Sequence, residues 1–284
     1  MLKNLFVACV LALSSGAIMA AQPTSYHPSE AAQPQVSSHS VAIVDGRTGQ
    51  MVFEKNARQK LPIASITKLM TAMVVLDAGL PLDSPMTISD EELDRLKNTG
   101  SRLSVGSTLT RREMLLLALM SSENRAAAVL SRYYPGGRPA FIERMNQKAR
   151  AIGMQNASFY DSTGLDVRNS ATAMDLVRLV KAANQYPLIR QFTTMTEYTA
   201  QPTATRTLHY KNSNALVREG QWAIELSKTG FINEAGGCLV MEAEVGSQKL
   251  VFVLLAANSS AARVRDARSI KTWLESIPHT WLAG

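Results

Sequence analysis

The chain has 284 residues, 46% of them hydrophobic and 19% charged. That is enough to bury one sizeable core, or two lobes sharing a cleft, without needing metals or disulfides to hold it together. The formal net charge is +7, with the basic residues spread over Arg95 to Arg112, Arg138 to Arg150 and Arg263 to Lys271. Such spread suits a polyanionic neighbour, either a cell-wall polymer bearing carboxylates or nucleic acid, and a solvated basic surface with no partner is the alternative.

In chain order, residues 1–21 read as a signal peptide: Lys3 is the only charge, Leu5 to Leu13 is apolar, and small residues lead to Ala17, Ala20 and Ala21. Ser14, Ser15 and Gly16 interrupt the apolar run before it is long enough to span a bilayer. Phe6, Val7 and Ala8 make a poor triplet for lipid attachment at Cys9. Export to the periplasm with cleavage is therefore expected, with no stable membrane anchor, and export disfavours nucleic acid as the partner. Cleavage leaves Cys238 as the only cysteine, so no intramolecular disulfide can form. Cys238 opens an apolar run and reads as a buried, inert thiol.

Residues 22–37, rich in Ala, Gln, Pro and Ser, read as a flexible leader, and one domain is expected over residues 38–284. The domain opens with a hairpin, Ser40 to Val44 and Met51 to Glu54 about the turn Asp45-Gly46-Arg47-Thr48-Gly49. Ile66 to Leu80 is apolar on nearly every side, the mark of a helix in the middle of a protein. Helical patterns continue through Arg111 to Tyr133, Arg138 to Ile152 and Ala173 to Ala183. Strands return at Ala223 to Ser227, Cys238 to Val245 and Lys249 to Ala257, and Ser260 to Ser276 closes the chain as an amphipathic helix. The expected fold class is α+β, with an antiparallel sheet built from both chain ends and a helical lobe inserted between. A cleft between sheet and lobe is the natural place for a site.

Three short motifs carry the chemistry. Ser65 and Lys68 lie where a loop runs into the buried helix, and their i, i+3 spacing puts both on one face of its first turn. The helix dipole and a low-dielectric interior both favour a neutral amine there, which can take a proton from the serine as it attacks. At average usage a Ser-x-x-Lys match arises about once by chance in a chain this long. A capping serine with a surface lysine is the plain alternative, but a helix apolar all round has no solvent face for Lys68. Ser122 and Asn124, at the joint of two helical segments, offer a hydroxyl for proton relay and an amide for a substrate carbonyl, or simply a cap and turn. Lys228-Thr229-Gly230 ends a strand-like alternation. Lysine and threonine there can hold a carboxylate, and glycine lets a ligand backbone approach the strand. The alternative is a basic residue and a turn glycine at a strand end. His27, His39, His209 and His279 are scattered without ligand spacing, so no metal and no cofactor is expected.

Together, in this order, the three motifs resemble those of the penicillin-binding serine enzymes, and more closely the D-alanyl-D-alanine carboxypeptidase/endopeptidase family. Pro62-Ile63-Ala64, Leu117 to Asn124 and Phe159 to Leu165 also look like family segments. The resemblance implies a β-lactamase/transpeptidase-like fold, Ser65 as nucleophile and Lys68 as base. Ser122 with Lys228 would pass a proton to the leaving amine, and Asn124 and Thr229 would position the peptide beside Gly230. The backbone N–H groups of Ser65 and Phe231 would form the oxyanion hole. Peptidoglycan peptides would be substrates and β-lactams covalent inhibitors. The class A β-lactamases add a glutamate that activates the deacylating water, and none occurs here between Glu143 and Glu197, so slow release of β-lactams is expected. The longer carboxypeptidases of the family carry a further β-domain and an amphipathic anchor, whereas this chain stops soon after its closing helix. That favours the short endopeptidases, which cut the D-alanyl to diaminopimelate cross-link. Carboxypeptidase action on terminal D-alanine, or a wall-binding, β-lactam-sensing module without turnover, are the alternatives. Oligomeric state is not legible.

Overall fold

A computed structural model describes residues 33–277. The expected signal peptide, residues 22–32 of the expected leader and the last seven residues lie outside the described residues. The chain begins with strands β1 (Ser40–Asp45), β2 (Met51–Lys55) and β3 (Leu61–Pro62), followed by helix α1 (Thr67–Asp77). Two short strands, β4 (Pro85–Thr87) and β5 (Thr108–Thr110), precede α2 (Arg111–Met120), α3 (Asn124–Arg132) and α4 (Gly137–Ala151). Then come β6 (Ser170–Ala171), α5 (Ala173–Ala183), α6 (Pro187–Thr194), the hairpin β7 (Glu197–Thr203) and β8 (Arg206–Lys211), and α7 (Ala215–Glu219). The chain ends with β9 (Ile224–Ile232), β10 (Gly236–Val245), β11 (Gln248–Ala257) and α8 (Ser260–Ser276).

The main sheet has the order β2-β1-β11-β10-β9 with every pair antiparallel, so the first strands complete a sheet made by the last. Ser40 faces Leu255 and Asp45 faces Leu250 across the β1–β11 seam. Successive side chains alternate between two apolar layers, as the strand period of two requires. Ala42, Val44, Val240, Val251, Val253 and Leu255 face the helical lobe. Val41, Ile43, Leu239, Met241, Phe252 and Leu254 face Ile270, Trp273 and Leu274 of α8. Burial on both faces explains why these strands read as nearly continuous apolar runs. Strand β9 ends the sheet with β10 on one side, and among the described residues no strand pairs with its other edge.

Helix α1 runs through the lobe with every residue from Thr67 to Val75 buried. The expected helical stretch from Arg111 divides in two. Thr110 and Glu113 start α2 with a capping box, Ser122 adopts a left-handed φ of 63°, and the Glu123 side chain accepts from Arg125 N to cap α3. The end of the expected leader is docked: the Asp266 carboxylate of α8 accepts from Ser37 N at 3.0 Å, Ser38 N at 2.7 Å and Ser38 Oγ at 2.6 Å. No helix among the described residues is long and apolar enough to cross a membrane.

Candidate active site

Ser65 sits in a single 3-10 turn, Ala64–Ile66, one step before α1 rather than inside it. That turn is held from two sides. Ala64 takes a left-handed φ of 46°, a conformation costly for an L-residue, and Thr67 Oγ1 donates to its carbonyl at 2.8 Å. Gly164 has a φ of 84°, and a Cβ there would lie 2.0 Å from Ala64 O, so only glycine lets this loop lie against the Ser65 turn. A Cβ on Gly230 would lie 2.8 Å from Ser65 N. The glycine of the third motif therefore admits the Ser65 turn against β9, a closer constraint than the approach of a ligand.

Lys68 is fully buried, and its Nζ lies 2.7 Å from Ser65 Oγ, 2.8 Å from Asn124 Oδ1 and 2.7 Å from Thr163 O. Burial brings its pKa down to about 7, against smaller opposing pulls from Asp161 and Glu123. A neutral amine has two N–H donors and one lone pair. With Asn124 Oδ1 and Thr163 O taking the donors, the lone pair is left for the proton of Ser65 Oγ. The Asn124 amide also donates from Nδ2 to Thr99 Oγ1 at 3.1 Å, which fixes which end faces Lys68.

Lys228 is buried on β9 and donates to Ser122 Oγ and to Thr229 O, each at 2.9 Å. Burial, followed by the charges of Lys68 and Arg263, holds its pKa well below the usual lysine value. Ser122 accepts from Lys228 and keeps its own proton to donate. Thr229 Oγ1 donates to Ser213 Oγ at 2.7 Å, and Ser213 N bonds Met120 O at 2.8 Å, tying β9 to the end of α2. Phe231 follows Gly230 on the free edge strand with its side chain 48% exposed. The structure thus gathers Ser65, Lys68, Ser122, Asn124, Lys228, Thr229 and Gly230 around one cleft, with Phe231 at its edge.

Several partners were not singled out from sequence. Thr163 acts through a backbone carbonyl, which no residue type signals. The Asp161 carboxylate builds the turn beneath it, accepting from Thr163 N at 3.1 Å, Gly164 N at 3.0 Å and Asn169 Nδ2 at 2.6 Å. Arg263, read from sequence as part of a surface basic cluster, is buried and donates to Gly230 O from behind the strand. Asn124 and Ser101 line two cavities, of about 520 Å³ and about 500 Å³. Among the described residues, no group of three His, Cys, Asp or Glu could hold a metal ion.

This arrangement can activate a serine hydroxyl with a buried amine and deliver a proton through a second lysine and serine, which is acyl-transfer chemistry. Comparison with known proteins agrees. The family described as D-alanyl-D-alanine carboxypeptidase matches residues 27–259. A D-alanyl-D-alanine endopeptidase of Pseudomonas aeruginosa is 44% identical, over 95% of this chain and 87% of its own. One from Escherichia coli is 46% identical, over 87% of this chain and 80% of its own. The crystal structure of a Streptomyces DD-transpeptidase superposes with a TM-score of 0.79 at 30% identity, covering 86% of this chain and 99% of that one. The chain belongs to the D-alanyl-D-alanine carboxypeptidase family of serine peptidases.

Proposed function

We propose that the protein is a periplasmic DD-endopeptidase that hydrolyses the D-alanyl to diaminopimelate cross-link of peptidoglycan through an acyl-enzyme on Ser65. The observation that carries the chemistry is the 2.7 Å contact of Lys68 Nζ with Ser65 Oγ at a buried amine whose pKa is near 7. Ser65 Oγ attacks the D-alanyl carbonyl carbon and its proton passes to Lys68. The N–H groups of Ser65 and Phe231 receive the oxyanion. As the intermediate collapses the C–N bond breaks, the leaving amine takes a proton from Ser122, and the proton that Lys68 gained passes by way of Lys228 to restore Ser122. Asn124 holds an amide carbonyl of the acyl half, and Thr229 holds the leaving half. Water then cleaves the ester and restores Ser65.

The endopeptidase names carried by the Pseudomonas and Escherichia relatives favour the cross-link over a terminal D-alanine. β-Lactams are read as covalent inhibitors. In support, no glutamate occurs between Glu143 and Glu197, and the Asp161 carboxylate is taken up by its own turn. The test incubates the mature protein and a Ser65→Ala control with a cross-linked muropeptide dimer and a monomeric pentapeptide, read by mass spectrometry. Conversion of dimer to monomers, absent in the control, supports the reading. Loss of alanine from the pentapeptide with the dimer intact makes the enzyme a carboxypeptidase. No reaction with either substrate favours a binding module.

A further inference from the structure

The proposed function sets the polarity of a bound peptide, and the side-chain preference inferred from that polarity rests on the same reading. The leaving amine lies beside Ser122 and Lys228, which supply its proton. The acyl half therefore runs the other way along the free edge of β9, past Gly230 and Phe231 toward the turn 233–235 that leads into β10. At that end the two walls of the cleft meet. Lys97, from the loop between β4 and β5, forms an ion pair with Glu234 of the turn. The Lys97 loop also supplies Thr99 to Asn124. It is shaped by Asp94, whose carboxylate accepts from the backbone N–H of Leu96 at 2.9 Å, Lys97 at 3.0 Å and Thr99 at 2.9 Å.

The side chains of Lys97 and Glu234 are 28% and 43% exposed, so the pair is weakened by solvent and each partner can be reached. The same loop walls the cavity of about 520 Å³, whose apolar lining includes Leu93, Leu96, Tyr160 and Leu165. Asp166, held mainly by Arg168, also lies within the field of Lys97. Leu96 lines that cavity and is the chain neighbour of Lys97, so a long aliphatic side chain laid against this wall can bring a charged end to the Lys97–Glu234 pair.

We infer that Lys97 and Glu234 read the residue preceding the scissile D-alanine, selecting a side chain that ends in an ammonium and a carboxylate on one carbon. The substrate carboxylate pairs with Lys97 and its ammonium with Glu234, while the aliphatic stem lies against Leu96 and Tyr160. A zwitterionic side chain replaces each partner of the ion pair that it separates. A neutral side chain separates the pair and satisfies neither, so the device rejects as well as attracts.

The test measures kcat/KM of the mature enzyme on four otherwise identical D-alanyl peptides. The preceding residue is diaminopimelate, lysine, norleucine or a homologue ending in a carboxylate alone. The native enzyme is expected to favour diaminopimelate over norleucine by about tenfold, the scale of one or two charge-assisted contacts. Lys97→Gln shifts preference toward the lysine peptide, and Glu234→Gln shifts it toward the carboxylate peptide. Melting temperature and labelling by a fluorescent penicillin verify that the variants are folded. An unchanged ranking of the four peptides in both variants overturns the inference, making the pair a clip between loops and leaving the peptidase reading intact. Failure of the native enzyme to cleave any of the four overturns the peptidase reading and this inference with it.

Discussion

Lys68 offers the sharpest test, because its burial converts directly into a rate. Burial lowers its pKa from 10.5 to about 7. At neutral pH that raises the neutral fraction from about 0.03% to about half, a gain of more than a thousandfold, equivalent to about 4 kcal/mol. With Lys68 as the base, acylation of Ser65 follows that fraction. The rate stands near half its maximum close to pH 7 and falls about tenfold for each further unit of acid below about pH 6. The assay is the second-order rate constant for labelling by a fluorescent penicillin from pH 5 to 9 at constant ionic strength. Glu123→Gln removes one of the two carboxylates that pull the pKa upward, so its acid limb moves to lower pH. A rate independent of pH from 5 to 9, or a limb unmoved in Glu123→Gln, refutes the assignment of Lys68 as base. Stability carries the same signature. The folded pKa lies below the unfolded one, so the unfolded chain binds the extra proton between about pH 7 and 10.5. The contribution of Lys68 is fully present above about pH 10.5 and is lost as pH falls to about 7.

Gly230→Ala places a Cβ 2.8 Å from Ser65 N and 3.2 Å from Ile63 O, both backbone atoms that cannot move aside cheaply. A stability loss of about 1–3 kcal/mol and a loss of acylation of about a hundredfold are expected. Penicillin labelling at the native rate would show that β9 and the nucleophile turn tolerate separation. Asp266→Ala removes the contacts that dock Ser37 and Ser38 on α8 and is expected to cost about 2–4 kcal/mol in chemical denaturation. An unshifted denaturation midpoint counts against a structural role for that segment. Burial raises the Cys238 thiol to about 11, so thiol reagents are expected to modify it only as fast as the protein unfolds. Rapid modification of the native enzyme contradicts its place in the core.

Local spacing made much of this protein legible before any coordinates. The hairpin at β1 and β2 is marked by its turn, β10 and β11 by apolar runs of strand length, and the closing helix α8 by its amphipathic period. The all-round apolar character of α1 placed Lys68 in the interior, and the i, i+3 spacing placed it beside Ser65. The β7–β8 hairpin was not read. Pro202 interrupts β7, and the polar alternation of Glu197 to Thr203 leaves only Ala200 and Pro202 buried. Helix α6 is eight residues long and too short for its period to stand out.

The site divides along the same line. The residue types of Ser65, Lys68, Ser122, Asn124, Lys228 and Thr229 announce chemistry. Their partnerships span 56 residues from Lys68 to Asn124, 95 from Lys68 to Thr163 and 106 from Ser122 to Lys228, and exist only when sheet and lobe are packed. Only the tertiary structure could assign Lys68 its second acceptor, because every residue carries a backbone carbonyl and Thr163 is distinguished solely by where its turn lies. Packing likewise gave Gly230 its reason and put Arg263 behind the strand. The sequence by itself determined which groups are available and which helix buries the amine. The tertiary structure decided which groups meet, because a proton moves only between atoms held within hydrogen-bond reach.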